Sequence, residues 1–317
     1  MLLGAILVLA GLMLLYYGAE YLVTGSSRLA LSFGVRPLVV GLTVVAFATS
    51  MPELMVSVFA ATRGASSMAA GNIVGSNIAN IGLILGVAAL IAPIVVARST
   101  LSREVPIMVA ASLCVYFVAM DGEIAFVDGL FLFSGLLTFL VYCVLTARDL
   151  SVPVDGEVEQ AIKGASAGQW PNVALILGGM VGLALGAELM VRGAVIIATL
   201  LGVSELIIGL SIVAVGTSLP ELAASVVSAW KGDMDISVGN VIGSNIFNVL
   251  FVLGICPMLQ PISIEPRLLS LDFPLMLAFC ALLIGLLTVM HPRLQLDRKR
   301  GVLLLGAYLF FIVSLFL

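Results

Sequence analysis

The sequence predicts an all-α membrane protein of ten transmembrane helices, arranged as two inverted five-helix repeats with helices 2 and 7 broken. Three observations carry this expectation. Hydrophobic residues make up 62% of the chain and charged residues 10%, against about 25% charged in a soluble domain. Apolar stretches of about 20 residues, each able to cross a hydrocarbon layer of roughly 30 Å as a helix, recur along the whole length. The chain also repeats itself at a fixed offset of 168 residues, which is the mark of a fold built twice.

The expected spans are, in order, 1–23, 35–61, 67–95, 105–120, 126–146, 173–195, 203–230, 236–259, 273–290 and 302–317. The first has no basic residue ahead of it and no small-x-small cleavage site before Tyr21, so it reads as a retained helix rather than a signal peptide. The spans group into a first repeat, 1–146, a cytoplasmic linker, 147–172, and a second repeat, 173–317. Five helices per repeat is an odd number, so the second repeat enters the membrane from the opposite side. Such inversion is the architecture of alternating-access transporters, with the site near the bilayer midplane. Lys and Arg set the orientation: the odd-numbered loops carry 11 and the even-numbered loops carry Arg63, Arg192 and Arg267. The odd loops are therefore expected in the cytoplasm and both termini outside it, in a cell inner membrane.

Several chemistries are set aside. Cys114, Cys143, Cys256 and Cys280 sit apart within apolar spans and read as packing residues. His291, beside Pro292 and Arg293, reads as an interface residue. No Walker-type loop points to ATP. No nucleophile-base pair or His/Cys cluster points to an enzyme. No cofactor, nucleic-acid partner or obligate protein partner is implied; the expected partners are the lipid bilayer and transported ions.

The repeat is densest in two motifs. Residues 41–54 read GLTVVAFATSMPEL and residues 209–222 read GLSIVAVGTSLPEL, identical at nine of fourteen positions. Residues 71–82 read GNIVGSNIANIG and residues 239–250 read GNVIGSNIFNVL, identical at seven of twelve. In the first motif Pro52 lacks an N–H and clashes with the preceding turn, so the helix must break or kink within the four residues before it. The break frees carbonyls around Ala46 to Ala48, which persist at membrane depth only where they line a polar cavity or bind something. Thr49 and Ser50 share a face with Glu53. Ala214, Thr217, Ser218, Pro220 and Glu221 repeat the pattern.

Ser50–Glu53 and Ser218–Glu221 also fit a capping box, in which Ser and Glu merely satisfy a helix start. An ionisable side chain in a lipid-embedded span costs about 2.5–3.5 kcal/mol on insertion scales, which favours ion binding over simple capping. In the second motif Asn72, Ser76 and Asn80 recur at four-residue steps on one face, as do Asn240, Ser244 and Asn248. Gly71 and Gly75, with Gly239 and Gly243, form small-xxx-small ridges for close helix approach. Asn77 and Asn245 point about 100° off that stripe and read as packing residues. The donor set is oxygen without sulfur or imidazole, which suits Ca²⁺ and Na⁺. Two carboxylates match one Ca²⁺ or about two Na⁺, so the ions compete, as exchange requires. Glu20 and Glu188 lie near helix ends, and Glu188 with Arg192 one turn later reads as an interfacial pair.

At these motifs the chain resembles the sodium/calcium exchanger family of the cation/calcium antiporter superfamily, in its short prokaryotic form, over essentially its whole length. The resemblance implies Glu53 and Glu221 as central Ca²⁺ ligands. It implies Thr49, Ser50, Ser76, Thr217, Ser218 and Ser244 along the Ca²⁺ and Na⁺ positions, and the carbonyls of Ala46 and Ala214 at outer Na⁺ sites. It further implies Na⁺ entry coupled to Ca²⁺ exit, with the first and sixth helices sliding as a gating bundle. Asn80 and Asn248 belong to the same ligand stripe. Asn248 stands where potassium-dependent members carry Asp, so no K⁺ requirement is expected. The rival readings are a Ca²⁺/H⁺ antiporter and a passive cation channel. The Pro before each Glu argues against the first, and a repeat within one chain argues against the second.

Overall fold

In lipid a backbone group left without a partner costs several kcal/mol, so a chain this apolar closes its hydrogen bonds within helices. The computed structural model describes residues 1–147, 169–202, 214–288 and 294–314. Its helices are α1 (Leu2–Phe33), the pair α2 (Pro37–Thr49) and α3 (Met51–Thr62), α4 (Ser67–Ile91), α5 (Arg98–Asp121), α6 (Phe126–Thr146) and α7 (Trp170–Leu200). There follow α8 (Ala214–Thr217), α9 (Leu219–Lys231), α10 (Met234–Leu259), α11 (Leu268–Thr288) and α12 (Arg298–Ser314). Among the described residues seven helices are long and apolar enough to cross a membrane, or eight with the bent pair α2–α3. The other two expected spans include residues 203–213 and 315–317, which lie outside the described residues, as do His291 and most of the linker 147–172.

Helix α1 outruns its apolar stretch by a full ten residues, because Ser26, Ser27 and Arg28 change its polarity without breaking it. It stops at Gly34, whose φ of 61° is a left-handed cap, and Gly202, its mate in the repeat, has φ 79° just beyond α7. Only glycine takes that geometry without strain.

Two compact units divide the chain: Met1–Thr49 with Phe139–Asn240, and Ser50–Thr138 with Val241–Leu317. Each draws on both sequence repeats. The first unit is built on α1 against α7, and the contact is backbone to backbone. A Cβ on Gly11 would lie 2.7 Å from the Gly186 carbonyl oxygen, one on Gly18 2.7 Å from the Leu183 nitrogen, and one on Gly193 2.6 Å from the Gly4 carbonyl oxygen. Lipid offers no hydrophobic drive for helix pairing, so close approach through small residues supplies the attraction. Around this seam Leu22, Val23, Val45, Ala48, Leu183, Ala224 and Ile236 form an apolar cluster.

In the second unit α4 and α10 are the buried helices: 78% and 89% of their apolar windows are covered, against 28% for α1, α6 and α7. Two antiparallel strand pairs lie among their connections. Ile94–Val95 pairs with Gln295–Leu296, and Glu123–Ile124 pairs with Ile262–Ser263. The exchange is reciprocal, each pair taking one strand from either repeat, with Ile94 and Ile262 as mates at the 168-residue offset. Two glycine contacts are reciprocal as well: Gly301 against the Gly86 carbonyl, and Gly129 against the Gly254 carbonyl.

The seam predicts its own test. A Cβ on Gly186 would sit 2.7 Å from the Leu15 nitrogen, whereas one on the exposed Gly178 meets nothing within 4 Å. Gly186→Val is expected to cost about 1–3 kcal/mol by overpacking and Gly178→Ala to leave stability unchanged, read as thermal unfolding midpoints in detergent.

Candidate functional site

Pro52 sits in the first turn of α3, and the chain bends by 41° between α2 and α3. The joint is Ser50, with φ −80° and ψ 1°, two residues before Pro52 and within the expected window. Ser218 forms the matching joint before Pro220, with φ −86° and ψ 4°. Proline removes the N–H that the carbonyl four residues earlier would accept, which strips an intrahelical partner from Ala48 and from Gly216. The Ala46 carbonyl accepts from the Thr49 hydroxyl at 3.3 Å. Ala214 opens the short helix that ends at Thr217.

Ser50 and Ser218 occupy the capping position, yet neither makes a side-chain capping bond. The capping box, the bland alternative for these four residues, is not formed. Ser50 Oγ is buried and has no hydrogen-bond partner among the described residues. Glu53 and Glu221 lie in the first turns of α3 and α9, and both are 0% exposed. The positive end of each helix dipole favours a carboxylate there.

In the first unit the site residues are Ala46, Thr49, Ala214, Thr217, Ser218 and Glu221. Asn240 binds several of them together. Its Oδ1 accepts from Thr49 Oγ1 at 3.0 Å, and its Nδ2 donates to Ser225 Oγ at 2.9 Å and to the Glu221 carbonyl at 3.2 Å. All four residues are buried. Gly239, beside Asn240, approaches the Leu38 carbonyl so closely that a Cβ would lie 2.7 Å from it. The expected glycine ridge is thus packed at Gly239 in the second repeat; at its first-repeat counterpart motif, a Cβ on Gly75 meets no described residue within 4 Å.

In the second unit fall Ser50, Glu53, Ser76, Asn80, Ser244 and Asn248, every one of them buried. Asn72 Nδ2 donates to Ser57 Oγ at 3.2 Å, mirroring Asn240 and Ser225 at the repeat offset. Asn80 Nδ2 donates to Asn245 Oδ1 at 3.0 Å, and Asn248 Nδ2 donates to Asn77 Oδ1 at 3.1 Å. Asn80 Oδ1 and Asn248 Oδ1 are left buried with no hydrogen-bond partner among the described residues. Each unmet carbonyl costs about 1–3 kcal/mol, and the cost is repeated at matched positions of the two repeats. Both residues open π-helical turns, Asn80–Ile84 and Asn248–Val252, a distortion common at functional sites.

Sequence reasoning missed Ser57 and Ser225. Both lie one turn beyond the Glu and recur at the same offset, so extending the first motif by three residues finds them. It also read Asn77 and Asn245 as packing residues, although each accepts a hydrogen bond from the ligand stripe. Glu188 pairs with Arg192 as expected, and Glu20 pairs with Lys231.

A family model described as sodium/calcium exchanger protein matches residues 3–147 and 171–317. Putative antiporter CaxA of Alkalimonas amylolytica is 39% identical, over 98% of this chain and 97% of its own length. Inner membrane protein YrbG of Escherichia coli is 37% identical, over 100% and 98%. Sodium/calcium exchanger MaX1 of Methanosarcina acetivorans is 32% identical, over 98% of each. A solved structure of the sodium-calcium exchanger NCX_Mj, soaked with zero Na⁺ and Ca²⁺, matches with a TM-score of 0.84 at 32% identity and covers 99% of both chains.

Replacing Asn240 by Leu leaves Ser225, Thr49 and the Glu221 carbonyl without their shared partner. The expected loss is about 2–3 kcal/mol of stability, measured as a lowered unfolding midpoint, with Ser225→Ala costing less.

Proposed function

Because the chain belongs to the sodium/calcium exchanger family, we propose that it exchanges Na⁺ for Ca²⁺ across the inner membrane by alternating access, with Glu53 and Glu221 as carboxylate ligands of the transported ion. At the coarser level it is a multi-pass integral membrane protein and a cation/calcium antiporter, not an enzyme. One observation carries the finer assignment: two carboxylates, at matched positions of the repeat and just past matched helix breaks, are both wholly buried. A buried carboxylate is stable when a cation compensates its lost hydration.

Around this pair the proposed ligands are Thr49, Ser50, Ser76, Asn80 and the Ala46 carbonyl, with Thr217, Ser218, Ser244, Asn248 and the Ala214 carbonyl. All offer the neutral hard oxygens that Ca²⁺ and Na⁺ accept. The reciprocal strand pairs and glycine contacts support two repeats related by a two-fold axis, hence ten helices with the second five inverted. With that arrangement and the Lys and Arg distribution, both termini lie outside the cytoplasm.

Radiocalcium uptake into proteoliposomes tests the coupling. An outward Na⁺ gradient is expected to drive uptake and a pH gradient alone to leave it at background, with Glu53→Gln and Glu221→Gln each reducing Na⁺-driven flux by at least about tenfold. Uptake driven by the pH gradient instead would assign the second carboxylate-borne cation as H⁺, and normal flux in both variants would remove the glutamates from the site. Omitting K⁺ is expected to leave the flux unchanged, since Asn248 brings no third carboxylate.

A further inference from the structure

Asparagine is an ambiguous ligand. One face of its amide is a carbonyl oxygen that a cation accepts, and the other an NH₂ group that repels it, so a site built on Asn needs something to hold the amide the right way round. Asn80 and Asn248 meet such a device. The Asn80 NH₂ is spent on Asn245 Oδ1, and the Asn248 NH₂ on Asn77 Oδ1. The two acceptors are themselves held. Asn77 Nδ2 donates to the Asn245 carbonyl at 3.2 Å and lies 3.7 Å from Met276 Sδ, while Asn245 Nδ2 lies 3.4 Å from Met108 Sδ. Met108 and Met276 are also mates at the 168-residue offset. Neither holding amide can turn over without aiming its own oxygen at a thioether sulfur or a carbonyl.

We propose that Asn77 and Asn245 are positioning residues that lock the amides of Asn80 and Asn248, so that each presents its carbonyl oxygen and not its NH₂ to the transported cation. This rests on the exchanger reading above and adds residues that touch no ion. It also gives a reason for the cross-over pattern. Asn77 on α4 holds Asn248 on α10, and Asn245 on α10 holds Asn80 on α4, so each buried helix fixes the other's ligand. The burial of both unpartnered oxygens, at 1% and 0% exposure for their residues, follows as the other half of the same device.

A lock and a mere packing contact differ in one respect. A carboxylate has oxygen on both sides, so its orientation no longer matters once Asp replaces the held Asn. Ca²⁺ binding to the purified full-length protein in detergent, measured by isothermal titration in Na⁺-free buffer, is therefore compared for Asn77→Leu alone and for Asn77→Leu in the Asn248→Asp background. The lock predicts that Asn77→Leu weakens Ca²⁺ binding by about tenfold or more, as loss of a ligand-orienting partner does. In the Asn248→Asp background the same substitution is expected to change binding by about twofold or less. Asn245→Leu with and without Asn80→Asp is the mirror cycle, and carries the test if Asn77→Leu does not give a monodisperse protein. Equal losses in both backgrounds would reduce Asn77 and Asn245 to packing residues and overturn the lock, as would no loss in the first. Glu53→Gln and Glu221→Gln separate this from the parent reading: if they bind Ca²⁺ normally, the functional assignment itself falls, whereas a lock failure leaves their effect intact.

Discussion

Everything in this protein answers to the cost of placing Glu53 and Glu221 where no water reaches them. A carboxylate moved into a low-dielectric interior loses several kcal/mol of hydration even after the surroundings relax, and no core packing compensates for that. What does is local. Each Glu begins a half-helix whose dipole points its positive end at the carboxylate, and each follows a proline that forces the helix to begin there. The break, the dipole and the charge are one solution written twice, at a fixed offset, in one chain.

The remaining architecture keeps that solution dry. With no hydrophobic force between helices in lipid, contact must come from geometry, and glycine supplies it. The seam of Gly11, Gly18 and Gly193 along α1 and α7 lets whole backbones touch, with Leu15, Leu22, Ile176 and Leu183 buried around it. In the second unit the same economy appears in Gly86, Gly129, Gly254 and Gly301, which bring the peripheral helices against α4 and α10, the two that carry the asparagine stripes.

Legibility in the sequence followed period and chemistry. Apolar length located eight of the ten expected spans among the described residues, and Pro52 located the helix break to within two residues, because proline's missing N–H acts through covalent structure and needs no tertiary context. Ser57 and Ser225 escaped notice because the motif was cut at its last identity run, although their own repetition was readable. The strand pairs could not have been read: two residues carry no alternation, and their pairing joins positions 200–202 residues apart in one pair and 138–140 in the other. The glycine seam was only partly visible. Gly18 and Gly186 are mates at the repeat offset, but which backbone each faces is a property of the packed pair α1 and α7.

Asn77 and Asn245 show where pattern reading misleads. Helical spacing turned them about 100° off the stripe of Asn72, Ser76 and Asn80 and its mate, and packing followed as the default. Spacing on a single helix, however, says nothing of what a neighbouring helix brings. Once α4 and α10 cross, an off-stripe residue of one lies against the stripe of the other, and four amides close into two reciprocal bonds. The distinction matters for ion choice. A carboxylate at these positions would add charge and accept a cation in any orientation; an amide adds none and must be aimed. Keeping Asn at both 80 and 248 holds the formal charge of the stripe at zero, so that in the proposed site the two glutamates alone would set how much positive charge is bound.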